Sequence, residues 1–469
     1  DKECITNRDR MFDCPQNLRE EEMFEVPEWA ANKVVYQIFP SRFAATEPVD
    51  KELWYKAPIT PMDDLHGNLR GIIEHMDDIQ NLGIDVLYMT PIFQSNSCHK
   101  YDTTDYYQID PSFGTTEDLK ELVQKAHERG MKVVLDAVYN HTGREFFAFA
   151  DILENGEKSK YRDWYFIDGF PLKSEWGEIP NFKCFGYYGG MPKLNLKNPE
   201  VEKYITDVAC YWIKECDIDG WRLDVGDEIS HFFWKNFRKA VKAVKKDMLI
   251  IGEIWHYAGD FLEGDEWDTV MNYPFYLNLI DLLADEKITV SQFVQNLGYL
   301  KGRLHKNCYP LMWNLIDSHD TARFLHLCND NKKKQHLAAA FQLLLPGMPM
   351  IYYGDEYAMP GANDPDCRRG MYWDEEYQDK EMYEWYKRLI QVRKSHACIV
   401  EGELAGSVTE DEEGTVVLIR KNGEETIAMI FNCSSSAKKF NEYTQKYNLL
   451  TENTFDGNVE GFDAAVIVL

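Results

Sequence analysis

At 469 residues the chain is too long for one ordinary core, so a domain of barrel size with one or two smaller companions is the natural expectation. Its 44% apolar and 28% charged content is that of a globular protein, and no apolar run is long enough to span a bilayer. The 51 basic against 79 acidic residues leave a net charge of −28, which argues against nucleic acid and membrane partners and for a neutral ligand.

Residues 1–26 are polar and acidic, with Glu20-Glu21-Glu22, and read as a tail or linker. The 11 cysteines are an odd number, scattered and without a Cys-x-x-Cys pair, which points to reduced thiols and a cytoplasmic location. Secretion stays open because the chain starts at Asp1 and not at Met.

Val34–Phe39 reads as a first buried strand stopped by Pro40. Residues 71–83 then have helical periodicity, and Val86–Met89 is a second strand. Thr115 or Thr116 caps a helix with Glu117 and Asp118 in its first turn and Gly130 past its end. Lys132–Ala137 is the third strand and delivers Tyr139-Asn140-His141. From 142 to 195 the alternation breaks into a stretch rich in Gly and aromatics, including Trp176 and Gly186-Tyr187-Tyr188-Gly189-Gly190; so long an excursion reads as a lobe over the strand ends.

The fourth strand, Gly220–Val225, carries Arg222 and Asp224 two residues apart, hence on one face. A helix follows with Phe233, Phe237, Val241 and Val244 on one side. The fifth strand, Leu249–Gly252, ends at Glu253, and a sixth is expected at 270–272. The seventh, Met312–Ile316, delivers His319 and Asp320, and the eighth is Met350–Tyr353. After about residue 400 the period becomes two, with Asn422-Gly423 between two apolar runs as a hairpin signal. The fold class is therefore α/β: a (β/α)8 TIM barrel over 27–398 with an inserted lobe at 142–195, then a C-terminal antiparallel β-sandwich domain over 399–469.

Barrel geometry gathers the C-terminal ends of strands three, four, five and seven, which brings Asp136, His141, Arg222, Asp224, Glu253, His319 and Asp320 into one pocket. The Arg222–Asp224 pair alone suits a structural ion pair equally well; three more strand ends with polar cargo favour a site. Such carboxylates suit acid/base work on a glycosidic bond, two of them close together serving as nucleophile and proton donor. Arg222 is expected to keep Asp224 ionised, and crowding to let Glu253 hold a proton near neutral pH. A fixed negative charge at Asp320 suits the oxocarbenium-like transition state. Asp136 and Asn140 read as structural groups near the site.

Asp136-Ala137-Val138-Tyr139-Asn140-His141, Gly220-Trp221-Arg222-Leu223-Asp224, Gly252-Glu253-Ile254-Trp255 and His319-Asp320 resemble the four strand-end motifs of the α-amylase superfamily. Met191-Pro192-Lys193-Leu194-Asn195 is similar to the extra motif of its cyclomaltodextrinase, neopullulanase and maltogenic amylase branch. The resemblance covers roughly residues 27–469. It implies a retaining hydrolase of α-1,4-glucosidic bonds in malto-oligosaccharides, cyclodextrins, pullulan or starch, with transglycosylation open. It makes Asp224 the nucleophile, Glu253 the general acid/base and Asp320 the transition-state stabiliser. Arg222, His141 and His319 would hold the sugar, Tyr101 would stack on it, Asp364 and Arg368 would form an outer subsite, and Trp255 with Glu228 would face the leaving group.

Two departures from the branch stand out. Its N-terminal β-domain has at most a remnant in residues 1–26, so monomer and homodimer stay open. The loop after Phe43 reads Ala44-Ala45-Thr46-Glu47-Pro48, with too few oxygen donors to assign the calcium site often found there; a structural calcium stays open without support from this loop, and no metal or cofactor is expected in the chemistry. The rivals are an exo-acting α-glucosidase, an α-1,6-glucosidase, and a sugar-binding or transporter-associated barrel without catalysis. The last is disfavoured because all three carboxylates are present.

Overall fold

The computed structural model describes residues 25–173 and 179–469, so the expected tail up to residue 24 and Trp176 lie outside the described residues. Eight short strands alternate with helices: β1 (Val35–Ile38), β2 (Val86–Met89), β3 (Lys132–Ala137), β4 (Gly220–Leu223), β5 (Leu249–Gly252), β6 (Thr269–Val270), β7 (Trp313–Leu315) and β8 (Met348–Tyr352). All neighbouring pairs are parallel, in the order β6-β5-β4-β3-β2-β1-β8-β7. The open ends meet through a parallel bridge between Met271 and Trp313, and Asn272 N donates to Trp313 O at 2.8 Å, which closes the barrel.

These strands are runs of Val, Ile, Leu, Met and Tyr because both their faces are covered. One face fills the barrel, where Val35, Val86, Tyr88, Val134, Ile251 and Trp313 pack together. The other packs on helices such as Thr116–Glu128, whose Thr115 and Asp118 form a reciprocal capping box. The single helix expected over 71–83 is two, Leu69–Glu74 and Met76–Leu82. His75 leaves helical geometry between them, at φ −99° and ψ 12°, and its ring stacks on Trp373 with centroids 3.6 Å apart.

The excursion after β3 leaves and returns at one place. Bridges pair His141 with Lys193 and Tyr165 with Leu194, and Leu194 N donates to Asn140 O at 3.0 Å. The lobe is thereby tied over the end of β3. Beyond the barrel, β9 (Glu403–Glu410), β10 (Thr415–Asn422), β11 (Glu425–Asn432), β12 (Tyr447–Asn448), β13 (Asn453–Thr454) and β14 (Asp463–Val468) form a six-stranded sheet. A two-stranded ribbon, Lys438–Lys439 with Asn458–Val459, supplies the second layer, and Val417, Ile430, Phe440, Phe455 and Ile467 fill the space. The β10–β11 loop is Gly423-Glu424, one residue later than the Asn422-Gly423 signal suggested, because Asn422 still pairs with Glu425. Phe341, on the helix Lys332–Leu344 between β7 and β8, stacks on Phe431 of this sheet with centroids 4.2 Å apart.

Candidate active site

Arg222 is the hub. It sits on β4 opposite Asp136 of β3, both inside the barrel and out of contact with water. One terminal nitrogen lies 3.1 Å from each Asp136 oxygen and 2.9 Å from Asp224 Oδ1. The other lies 3.0 Å from Glu253 Oε2 and 3.9 Å from Asp320 Oδ2. One guanidinium therefore faces four carboxyls from four strand ends.

The geometry past β4 is set by backbone strain. Asp224 follows the last residue of the strand, and Val225 then adopts φ 47° and ψ 44°, a left-handed conformation that a β-branched residue takes only under constraint. The turn aims Val225 N–H at Glu253 Oε2, 2.9 Å away, while Trp255 Nε1 donates to the other oxygen at 3.0 Å. Glu253 is thus held by one cation and two N–H groups. Trp255 lies flat on Tyr273, centroids 3.9 Å apart, and keeps an exposed face.

A second chain of bonds fixes the histidines. Gln37 Nε2 lies 2.6 Å from His319 Nδ1, His319 Nε2 lies 2.6 Å from Tyr101 Oη, and Tyr101 donates to Asp136 Oδ2 at 2.9 Å. Tyr88 donates to the same Asp136 oxygen at 2.7 Å. Asp320 Oδ1 is 3.2 Å from His319 Nε2 and 3.5 Å from Arg368, which also pairs with Asp364 at 2.7 Å. With Gln37 donating to Nδ1, His319 carries its proton on Nε2, facing Tyr101 and Asp320. Burial, reinforced by Arg368 and Arg222, pushes His319 well below the ordinary imidazole value, and burial lowers His141 to about 4. Both rings are neutral at physiological pH.

The carboxyls behave otherwise. Burial lifts Asp136 to about 6 against the pull of Arg222, Tyr88 and Tyr101. Burial also lifts Asp224 well above the carboxylate range, with Arg222 opposing and Glu253 and Asp136 adding to the rise. Against the expectation that Arg222 keeps Asp224 ionised, one cation shared among several buried acids does not outweigh desolvation, and Asp224 is raised instead of lowered.

A cleft of about 420 Å³ opens over this cluster, lined by Tyr101, His141, Asp224, Glu253, Trp255, Asp320, Asp364 and Arg368, with His99, Phe185 and Met191 on its walls. Sequence reasoning named eight of those residues, and the fold brings them together. Glu228 is placed differently. Its carboxylate stands 3.6 Å from Lys193 and 3.3 Å from Asn140, at the foot of the lobe. Asn140 is a brace, held by Lys193 Nζ, which also donates to Glu228 O at 2.9 Å. His141 donates through Nε2 toward Tyr101 O at 2.9 Å and stacks on Phe185.

Gln37, Lys193 and Val225 escaped notice as functional residues. Gln37 could have been found as the polar residue within a wholly buried strand. Val225 carried no signal, since its strain comes from the turn and not from its type. Among the described residues, no three His, Cys, Asp or Glu side chains converge as a metal site.

Residues 37–402 match the model of the α-amylase catalytic domain. The chain is 46% identical over 428 residues to a cyclomaltodextrinase of Geobacillus thermopakistaniensis (strain MAS1), covering 90% of this chain and 72% of the relative. It is 42% identical over 421 residues to neopullulanase 2 of Thermoactinomyces vulgaris, covering 88% and 72%. Among solved structures, the cyclic α-maltosyl-(1→6)-maltose hydrolase of Arthrobacter globiformis superposes with a TM-score of 0.86 at 36% identity, over 94% of this chain and 100% of that one. The chain belongs to the α-amylase family of glycoside hydrolases, in the branch of the cyclomaltodextrinases and neopullulanases.

Proposed function

We propose that the chain hydrolyses α-1,4-glucosidic bonds of malto-oligosaccharides and cyclodextrins with retention of configuration. The observation that carries this reading is the attachment of Asp224 and Glu253 to the two terminal nitrogens of one guanidinium, at 2.9 Å and 3.0 Å. That arrangement suits the roughly 5 Å carboxyl separation of retaining enzymes better than the roughly 6.5–9.5 Å that admits a water for inversion.

In the first step Glu253 gives its proton to the glycosidic oxygen while an Asp224 oxygen bonds the anomeric carbon, and the leaving sugar departs with that proton. Asp224 attacks as the carboxylate, its charge facing Arg222 at 2.9 Å. Asp320 and neutral His319 take hydroxyls of the sugar, and the exposed face of Trp255 stacks on the leaving side. In the second step Glu253 removes a proton from water, the hydroxyl bonds the anomeric carbon, and the Asp224 ester breaks. A sugar hydroxyl in place of water gives transglycosylation. Carboxyl groups supply all of this chemistry, and neither a metal nor an organic cofactor enters it.

A second substrate reading rests on a particular observation: 94% of this chain covers the whole of the Arthrobacter enzyme, a hydrolase of cyclic α-maltosyl-(1→6)-maltose. Product sizing on maltotriose, β-cyclodextrin, pullulan and cyclic α-maltosyl-(1→6)-maltose separates these. Cleavage of the first two with α-configured products supports the reading. Release of glucose alone from chain ends, or cleavage only at α-1,6 bonds, overturns it.

A further inference from the structure

The lobe over the end of β3 holds a large aromatic side chain almost wholly in water. Tyr187 is 91% exposed, while among the described residues no other Phe, Tyr or Trp exceeds the 65% of Phe232. It stands in the loop Gly186-Tyr187-Tyr188-Gly189-Gly190, whose flanking residues Phe185 and Met191 line the catalytic cleft.

The loop is fixed at its foot. Cys184 bridges Pro192, Phe185 N donates to Met191 O at 3.0 Å, Tyr188 N to Phe185 O at 2.9 Å and Met191 N to Tyr188 O at 3.0 Å. Phe185 also stacks on His141, centroids 5.3 Å apart. Gly186 and Tyr187 both take left-handed backbone, at φ 56° and 59°. A glycine adopts it freely and a tyrosine does not. Tyr188 lies across Gly190, where an added Cβ would stand 2.3 Å from its ring. The turn therefore presents the Tyr187 ring to solvent, two residues from the cleft wall.

Neither the strained backbone nor the exposed ring stabilises the fold, which leaves a ligand as the reason for both. The cleft, at about 420 Å³, has room for only a few sugar rings, so a longer glucan continues beyond its walls. On the lobe side it meets the flat ring at 187, and the apolar face of a pyranose stacks on such a surface. We propose that Tyr187 is a stacking platform for a glucose unit outside the cleft and gives the enzyme a preference for long α-glucans over short ones. Maltotriose, held inside the cleft, does not reach it. This role rests on the hydrolytic reading and adds to it a residue that sets chain-length preference.

Calorimetric titration with maltotriose and maltoheptaose, in a Glu253→Gln chain that cannot turn them over, tests the platform. Adding Tyr187→Ala is expected to lower the ratio of maltoheptaose to maltotriose affinity about fivefold, and Tyr187→Phe, which keeps the ring, to preserve it. An unchanged ratio in Tyr187→Ala, whether both affinities hold or both fall together, overturns the proposal. An equal fall in Tyr187→Phe would make the hydroxyl the contact and overturn stacking. Should sedimentation show Tyr187→Ala breaking a dimer while the ratio holds, the ring docks a second copy and the platform is refuted. Failure of the hydrolytic reading looks different: neither glucan then binds even with Tyr187 in place, and both readings fall.

Discussion

Replacing Arg222 by Met keeps an unbranched apolar stem and removes the charge at the centre of the site. In the native protein burial already lifts Asp136 from 3.8 to about 6. At about 1.4 kcal/mol per unit, that rise makes the folded state weaker by about 3 kcal/mol at neutral pH than at low pH. The sign follows from proton counts: from about pH 4 upward the unfolded chain releases the Asp136 proton while the folded chain keeps it, so stability falls until the folded value is passed. Arg222 is the strongest influence opposing that rise, for Asp136 and for Asp224 alike. Without it the fall continues to higher pH. The difference between native and variant protein should be small near pH 4 and reach about 3–5 kcal/mol at pH 8, the usual cost of leaving buried charges uncompensated. Urea unfolding followed by tryptophan fluorescence at several pH values measures it. A difference below about 1 kcal/mol at pH 8, or one that does not change with pH, would show that Arg222 acts as packing and does not organise the acids.

Glu253→Gln should lower kcat on maltotriose by at least about a thousandfold, with substrate binding by calorimetry within a few-fold of native; retained turnover would remove Glu253 from the proton-transfer role. Val225→Gly relieves about 1–3 kcal/mol of backbone strain against about 0.5–1 kcal/mol of added chain entropy, so unfolding should become harder by about 1 kcal/mol while kcat falls several-fold as the Glu253 clamp loosens. Unchanged kcat would mean the strain has no positioning role. Lys193→Met leaves Asn140 Oδ1 without its ammonium and should cost about 1–3 kcal/mol of stability and raise proteolytic nicking within 142–195. Chelator treatment should leave activity on β-cyclodextrin intact; a loss restored by calcium would contradict the metal-free reading.

The strand ends were legible because chemistry and architecture coincide there. A polar residue closing an apolar run is conspicuous, and Asp136, Arg222, Asp224 and Glu253 all close such runs. The long helix over 71–83 was misread because its periodicity continues through His75, which leaves helical geometry where its ring stacks on Trp373, nearly 300 positions later. Protonation was misjudged for a similar reason. Sequence places Arg222 beside Asp224, but only the closed barrel shows how many acids share that cation and how little water reaches them.

The most direct test is to trap the intermediate. Incubation with a fluorinated α-maltosyl fluoride that forms the covalent adduct faster than it breaks down, followed by peptide mass spectrometry, should place one glycosyl group on Asp224. A label on any other carboxyl, or complete turnover giving first-formed β-anomer with no label, would contradict the account.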